Sequence, residues 1–397
     1  MKICIILPKG LPVPATKGGA IEKLITDIID ENEKTSKLNL TIVSVYDKSA
    51  QIISEKYKKT NFIYIKNDLS YKLKAILVRI LNLFSKDKFN TYNEIVLQKI
   101  KNRTFNYIIV EDGAYMCFKS YLKYFNKEQM ILHFHHNGKS DSSTDSTFST
   151  YLGVSSFVAN TFKSSSKIKD IQVLRNGIKA DNFLTRIPED EKYLIREKYN
   201  LKKDDFVVVF CGRLIPEKGI LELITAIKSI NMENIKLLIV GSINFGINNS
   251  KSSYLELIEN EVKNSNGKIV LTGYVDNSEL YKYYQIADIG VIPSTWEDAA
   301  PLVLLEMMIS KLPVIVTKTG GAPEYASEDT IIIPKDDDII KNIKNNVLEL
   351  YNNVKMRNEI IQNSYEFAKS FTTKEFYNDL VNILQTKERK SVNNEQK

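Results

Sequence analysis

The chain has 397 residues, 43% hydrophobic and 26% charged, with a formal net charge of +7. That composition excludes wholesale disorder, and the length exceeds what one hydrophobic core usually serves, so two domains are expected. The charge is uneven: residues 1–187 hold 29 Lys and Arg against 17 Asp and Glu, and the remainder holds 26 against 31. A basic N-terminal half suits an anionic membrane surface or a phosphate-bearing acceptor, whereas no aromatic–basic recognition module supports a nucleic acid partner. No apolar run approaches eighteen residues, which excludes a membrane-spanning helix. Three widely spaced cysteines, Cys4, Cys117 and Cys211, have no zinc spacing and read as reduced core thiols of a cytoplasmic protein.

In chain order, KICIIL opens as a strand, its apolar patch too short for a signal-peptide core. The loop KGGAIEK follows, with Gly18 and Gly19 at a strand-to-helix junction, and then the helical pattern GAIEKLITDIIDENEK. NLTIVSVY and NFIYI read as the next strands. Residues 71–89, YKLKAILVRILNLFSKDKF, place Leu73, Ile76, Leu77, Ile80 and Phe84 at helical spacing beside lysines and an arginine. A core-facing helix is the favoured reading of this segment, and contact with an anionic membrane the second.

FNYIIVED, QMILHFH, YLGVSSF and IQVLRNG complete the first set of strands. All three histidines lie in ILHFHHNG; strand alternation puts His133 and His135 on one face and His136 on the other. No carboxylate or cysteine is spaced to complete a metal site with them, so none is expected. One histidine at the strand's carboxyl end suits a hydrogen bond to a ligand hydroxyl, with the others satisfied locally by backbone. DSSTDST and KDDDII read as caps or solvated turns.

A joint is expected at 187/188, within the charged, poorly patterned segment TRIPEDEKYLIREKYNLKKDD. FVVVFCG, KLLIVGS, KIVLTGYV, ADIGVIPS, PVIVTK and TIIIP then repeat the strand pattern, with helical runs such as ILELITAIKSI and ELYKYYQIAD between them. Continuous Val/Ile runs separated by helices indicate parallel strands covered on both faces. The expected fold is therefore α/β: two facing Rossmann-like, doubly wound parallel-sheet domains, 1–187 and 188–371, with a cleft between them. The C-terminal helix 372–386 crosses back to the first domain, and a polar tail beyond it frays.

Three loops of the second half carry charge or glycine. In FCGRLIPEKG, Arg213 and Lys218 bracket a turn before a helix, either as a diphosphate site or as two solvated cations. In STWEDAAPLVLLEMM, Asp298 stands just outside a helix starting near Ala300 or Pro301, and Glu306 lies in its second turn. At about 1.5 Å per residue the two carboxylates sit roughly 8–12 Å apart, too far to share a proton. Glu306 is flanked by LVLL and MM, so it is buried and needs a partner, for which a ligand hydroxyl is suitable. TKTGGAPEY lets backbone amides converge on an anion, or simply turns.

These pieces in this order resemble the family 4 glycosyltransferases, retaining enzymes of the GT-B fold, and among them the bacterial enzymes that build surface polysaccharides, lipopolysaccharide or spore-coat glycans. The resemblance rests on GYVDNSELYKYYQIADIGVIPSTWEDAAPLVLLEMMISKLPVIVTKTGGAPE, with FCGRLIPEKG and LRNGIKADNF in support. It implies transfer of a hexosyl unit from a nucleotide sugar, a UDP-sugar by preference, to a carbohydrate or lipid-linked acceptor, with retained configuration and no metal or cofactor. Arg213 and Lys218 would hold the donor diphosphate, Glu306 the ribose, and Asp298 the sugar hydroxyls. Ala299, Ala300, Pro301 and Leu302 would line the sugar and phosphate, and Gly273, Tyr274 and Val275 would lie near the base. Gly18 and Gly19 would cover the diphosphate, and His135, with His133 as second choice, would contact the transferred sugar. Asp298 replaces the family's usual glutamate, and Ala-Ala-Pro its Gly-Phe-Gly-like segment; both changes touch the sugar pocket. The alternatives are a sugar-nucleotide epimerase or a phosphorylase of the same fold, or a non-catalytic sugar-nucleotide-binding protein. The implied location is the cytoplasm, with peripheral contact at the inner face of the membrane through the basic N-terminal domain.

Overall fold

The computed structural model describes residues 1–243 and 253–395. They form two compact units: Met1–Gly177 with Thr373–Lys397, and Ile178–Thr372. Residues 178–187, grouped with the first domain by composition, belong to the second unit, because Ile178, Phe183 and Ile187 are buried in its core. Each of the thirteen apolar runs forms a strand. In the first unit these are β1 (Lys2–Ile6), β2 (Asn39–Val45), β3 (Thr60–Ile65), β4 (Tyr107–Glu111), β5 (Met130–Phe134), β6 (Thr150–Gly153) and β7 (Asp170–Val173). In the second they are β8 (Phe206–Cys211), β9 (Ile235–Val240), β10 (Ile269–Gly273), β11 (Ile289–Ile292), β12 (Val314–Thr317) and β13 (Ile331–Ile333).

The sheets run β3-β2-β1-β4-β5-β6-β7 and β10-β9-β8-β11-β12-β13, and all their pairings are parallel. In both, the order reverses beside the first strand, between β1 and β4 and between β8 and β11. Such a switch point opens a crevice at the carboxyl ends of the strands, where ligands of open α/β sheets bind. The central strands are mostly apolar because helices cover both faces, as the complete burial of Val207, Val208 and Val209 in β8 shows.

The first unit's core joins β1, β2 and the helix Ala20–Thr35 to the helix Thr373–Glu395 through Phe376, Tyr377, Leu380, Val381 and Leu384. The Tyr377 hydroxyl donates to Asn32 Oδ1 at 2.7 Å, a buried polar tie inside that packing. The helix runs on through residues 386–395, where a frayed tail was expected.

The helix Leu69–Phe84 overturns the favoured reading of its segment. Only Tyr71 and Val78 are buried, while Leu73, Ile76, Leu77, Ile80 and Phe84 all face solvent. Its packing on the helix Thr91–Ile100 uses the opposite side. Among the described residues, no helix is long and apolar enough to cross a membrane.

Leu384 is fully buried in the first unit's core. Leu384→Ala is expected to lower stability by about 2–5 kcal/mol, read as a shifted urea midpoint, and a neutral result would show that the C-terminal helix is dispensable to that core.

Candidate functional site

In the second unit, Arg213 follows the carboxyl end of β8 and is exposed; among the described residues it makes no ion pair. A 3-10 turn, Pro216–Lys218, then leads through Gly219 into the helix Ile220–Lys228. Gly219 has φ +66°, and a Cβ there would lie 1.9 Å from the Pro293 carbonyl oxygen. Glycine is therefore required for this loop to lie against the loop that leaves β11. The Thr295 amide donates to the Glu217 carbonyl at 3.0 Å, knitting the two loops together. Their side chains meet as well: Lys218 Nζ is 2.5 Å from Asp298 Oδ2, both groups about one-quarter exposed. Two residues 80 apart thus form one charged pair at the switch point.

The loop after β12 supports Asp298 from the other side. The Gly321 amide donates to the Asp298 carbonyl at 2.8 Å, and the Gly320 amide donates to the Glu297 carboxylate, which also pairs with Lys335. A Cβ on Gly320 would fall 2.2 Å from the Asp298 carbonyl oxygen. The TKTGGAPEY amides that the sequence offered to an anion are thus engaged by the protein's own acceptors. Thr317 Oγ1 donates to the carbonyls of Ser294 and Ile292, so the segment leading to Asp298 is anchored at its base.

Pro301 caps the helix Leu302–Ile309, one residue later than the expected start. Glu306 is buried, and its partner is a protein group: the Tyr284 hydroxyl donates to Oε2 at 3.1 Å. Tyr284 lies beside Cys211, whose thiol burial pushes up to about 12. Ala299, Ala300 and Leu302 are partly exposed beside Asp298, and Pro301 is buried. Gly273 ends β10 with φ +77° and open space beside it, next to a half-exposed Tyr274 and a partly buried Val275. Trp296, the chain's one tryptophan, is exposed two residues before Asp298.

In the first unit, Gly18 and Gly19 have φ of +78° and +94° and lead into the helix Ala20–Thr35. A Cβ on Gly19 would meet the Glu22 carboxylate at 2.0 Å. Glu22 is buried, which pushes its carboxyl up, against hydrogen bonds from backbone amides and, less strongly, the nearby His135. His133 and His135 share a face as expected, but both rest on one carboxylate that sequence spacing missed. Glu111 Oε2 is 2.9 Å from His133 Nδ1 and 2.6 Å from His135 Nε2. Glu111 is level with His133 on the adjacent strand β4, so register supplies the partner that linear spacing lacked. The three side chains bring possible metal-ligand atoms within 4.8 Å of one another, which corrects the premise on which a metal was discounted. His136 points elsewhere, onto Asp112 at 2.9 Å, so these imidazoles are held by carboxylates where local backbone was expected.

Burial pushes the Glu111 carboxyl up, but the two imidazoles outweigh it and bring it down to about 2. Burial drives His133 down, and its Nε2 is buried without a partner among the described residues, as suits a neutral ring. His135 is raised, because its hydrogen bond to Glu111 overcomes burial. The raised histidine stabilises the fold fully below its ordinary value of 6.5, and that contribution fades as pH rises through its folded value. The depressed carboxylate contributes above its ordinary value of 4.5 and loses that contribution as pH falls toward about 2. The pair is worth most between those two ordinary values. Glu111→Gln should therefore lower the melting temperature, relative to wild type, more at about pH 5.5 than at about pH 8.5. An equal penalty at both would mean that Glu111 and His135 are not an ion pair.

Residues 191–367, which include Arg213, Lys218, Asp298 and Glu306, match the family model described as Glycosyl transferases group 1. The chain is similar to the lipopolysaccharide 1,2-N-acetylglucosaminetransferase of Salmonella typhimurium, 29% identical over 157 residues, 39% of this chain and 40% of that protein. It is also similar to the putative teichuronic acid biosynthesis glycosyltransferase TuaC of Bacillus subtilis, 34% identical over 152 residues, 38% of this chain and 34% of that protein. The chain spans less than half the length of these curated relatives. Among solved structures, Anabaena HepE in complex with UDP superposes with a TM-score of 0.73 at 16% identity, over 97% of this chain and 100% of that one. Residues 191–367 are thus similar to the group 1 glycosyl transferases, in a chain whose fold is shared with solved glycosyltransferases.

Proposed function

We propose that this protein is a retaining hexosyltransferase that uses a UDP-sugar and extends a carbohydrate or lipid-linked acceptor in the synthesis of a surface polysaccharide. The observation that carries the reading is the Lys218–Asp298 pair, held at the switch point of the second sheet by loops whose backbones interlock. A nucleotide sugar presents a diphosphate to the cation and hydroxyls to the acid, so one ligand satisfies both. Arg213, exposed one loop turn away, adds a second cation for the diphosphate. Glu306, steadied by Tyr284 through Oε2, offers its other oxygen to the ribose. Gly273, Tyr274 and Val275 flank the base, and Ala299 to Leu302 flank the sugar and phosphate. The relatives' names support surface glycans as the product class, and HepE, solved with UDP and with UDP-glucose, supports a UDP-linked donor.

In the reaction, the bond between the sugar's anomeric carbon and the diphosphate oxygen breaks, and the acceptor oxygen bonds to that carbon on the same face. The acceptor's proton passes to the departing diphosphate. Charge develops on the diphosphate as it leaves, and fixed cations beside helix N-termini stabilise that charge without reorganising. This reading uses neither a side-chain nucleophile nor a metal ion.

Lys218→Ala is expected to reduce UDP release by about a hundredfold or more while leaving the melting temperature near wild type, since the pair is partly exposed. Release at the wild-type rate would remove Lys218 from the site. The donor is found by screening UDP-glucose, UDP-galactose, UDP-N-acetylglucosamine and GDP-mannose for nucleotide release with and without acceptors. Trp296 fluorescence, titrated with UDP alone, separates binding from turnover. Binding without release from any donor would favour a non-catalytic sugar-nucleotide-binding protein. Full activity after exhaustive chelation is expected, and loss restored by a divalent ion would instead implicate a metal. An inverted product anomer by proton NMR would contradict retention.

A further inference from the structure

The helix Leu69–Phe84 exposes Leu69, Leu73, Ile76, Leu77, Ile80, Leu81, Leu83 and Phe84, each at least 48% accessible and the last at 86%. At about 100° per residue these eight fall within an arc of about 160°, directly opposite Tyr71 and Val78, the two residues that pack inward. Lys72 and Arg79 border one edge of the arc and Lys74 the other, and the helix contains no acidic residue. Exposed Lys66 precedes it, and exposed Lys86 and Lys88 follow. Both ends are pinned in place: Asp68 caps the N-terminus by accepting from the Tyr71 amide at 3.1 Å. Asn82 exchanges two hydrogen bonds with the backbone of Phe89. The apolar face is therefore presented by a fixed helix.

So large a contiguous apolar face on one element exceeds what solvated surfaces normally carry and marks a docking surface. A second copy of the chain fits it poorly, because face-to-face packing would bring Lys72, Lys74 and Arg79 against their own kind with no acid on the helix to answer them. An anionic lipid surface answers both features, taking the apolar arc into the acyl boundary and the flanking cations into the headgroups. At about 1.5 Å per residue the helix is roughly 24 Å long, short of the roughly 30 Å hydrocarbon thickness, so it would lie along the membrane. We propose that Leu69–Phe84 is a membrane-docking helix that lies in the interface of an anionic bilayer and holds the first unit at that surface. The inference does not depend on the glycosyltransferase reading, since it needs neither donor nor acceptor.

The test is co-flotation of the full chain with vesicles of phosphatidylcholine alone and of phosphatidylcholine mixed with phosphatidylglycerol. Wild type should float with the mixed vesicles. Leu77→Gln with Ile80→Gln should bind them at least about tenfold more weakly at an unchanged melting temperature, because both side chains are already solvated in the folded chain. Lys72→Glu with Arg79→Glu should abolish the preference for the anionic vesicles. Wild type failing to float with either vesicle, or both variants floating like wild type, overturns the proposal. So does a lipid-free dimer that Leu77→Gln with Ile80→Gln converts to monomer, which would assign the face to a second copy. A fall of many degrees in that variant's melting temperature would also overturn it, by showing the face to be part of a packed core.

Discussion

A parallel strand covered on both faces by helices has nowhere along its length to hold a charge. In this protein that constraint decides where chemistry can occur. The middles of β1, β4 and β5 and of β8, β9 and β11 are buried apolar side chains, and the polar groups that matter stand where strands end. Glu111 closes β4, His133 and His135 lie at the end of β5, and Arg213 and Lys218 follow β8. Asp298 follows β11, and Gly320 and Gly321 follow β12. The sites are a consequence of how the sheets are buried.

Within the second unit, the same edge is tightened by close backbone approach. Gly219 and Gly320 each sit where a side chain would strike a carbonyl oxygen, Pro293 in one case and Asp298 in the other. Three loops can therefore stack without intervening side chains, which brings Lys218 to Asp298 across 80 residues of sequence. Under the proposed function, a donor diphosphate would compete with Asp298 for Lys218, and an acid drawn toward that cation would reach less far toward the sugar.

All thirteen strands could be read from apolar runs bounded by loops, because continuous burial leaves a continuous apolar signature. Pairings across the sheet could not. Glu111 lies 22 residues before His133 and becomes its partner only through the register of β4 on β5. The visible trace in sequence was an acid closing the buried run FNYIIVED, at the end of a strand where ligands bind. Tyr284 is similarly remote from Glu306, so the need for a partner was evident but its identity was not. The Leu69–Phe84 pattern failed for a different reason. A period of 3.6 defines an apolar face but says nothing about whether that face meets a core or solvent.

The first unit closes its core without the outer face of that helix. The helix Thr373–Glu395 returns from the far end of the chain and fills the space beside Ala20–Thr35 with Phe376, Tyr377, Leu380, Val381 and Leu384. The exposed apolar side chains of Leu69–Phe84 take no part in that packing. The helix stays in place through Tyr71, Val78 and its two end locks. An element held by one side and both ends is free to keep its other side for a partner. Fold stability and surface recognition are thereby assigned to opposite faces of one helix, and the outer face can vary without weakening the core.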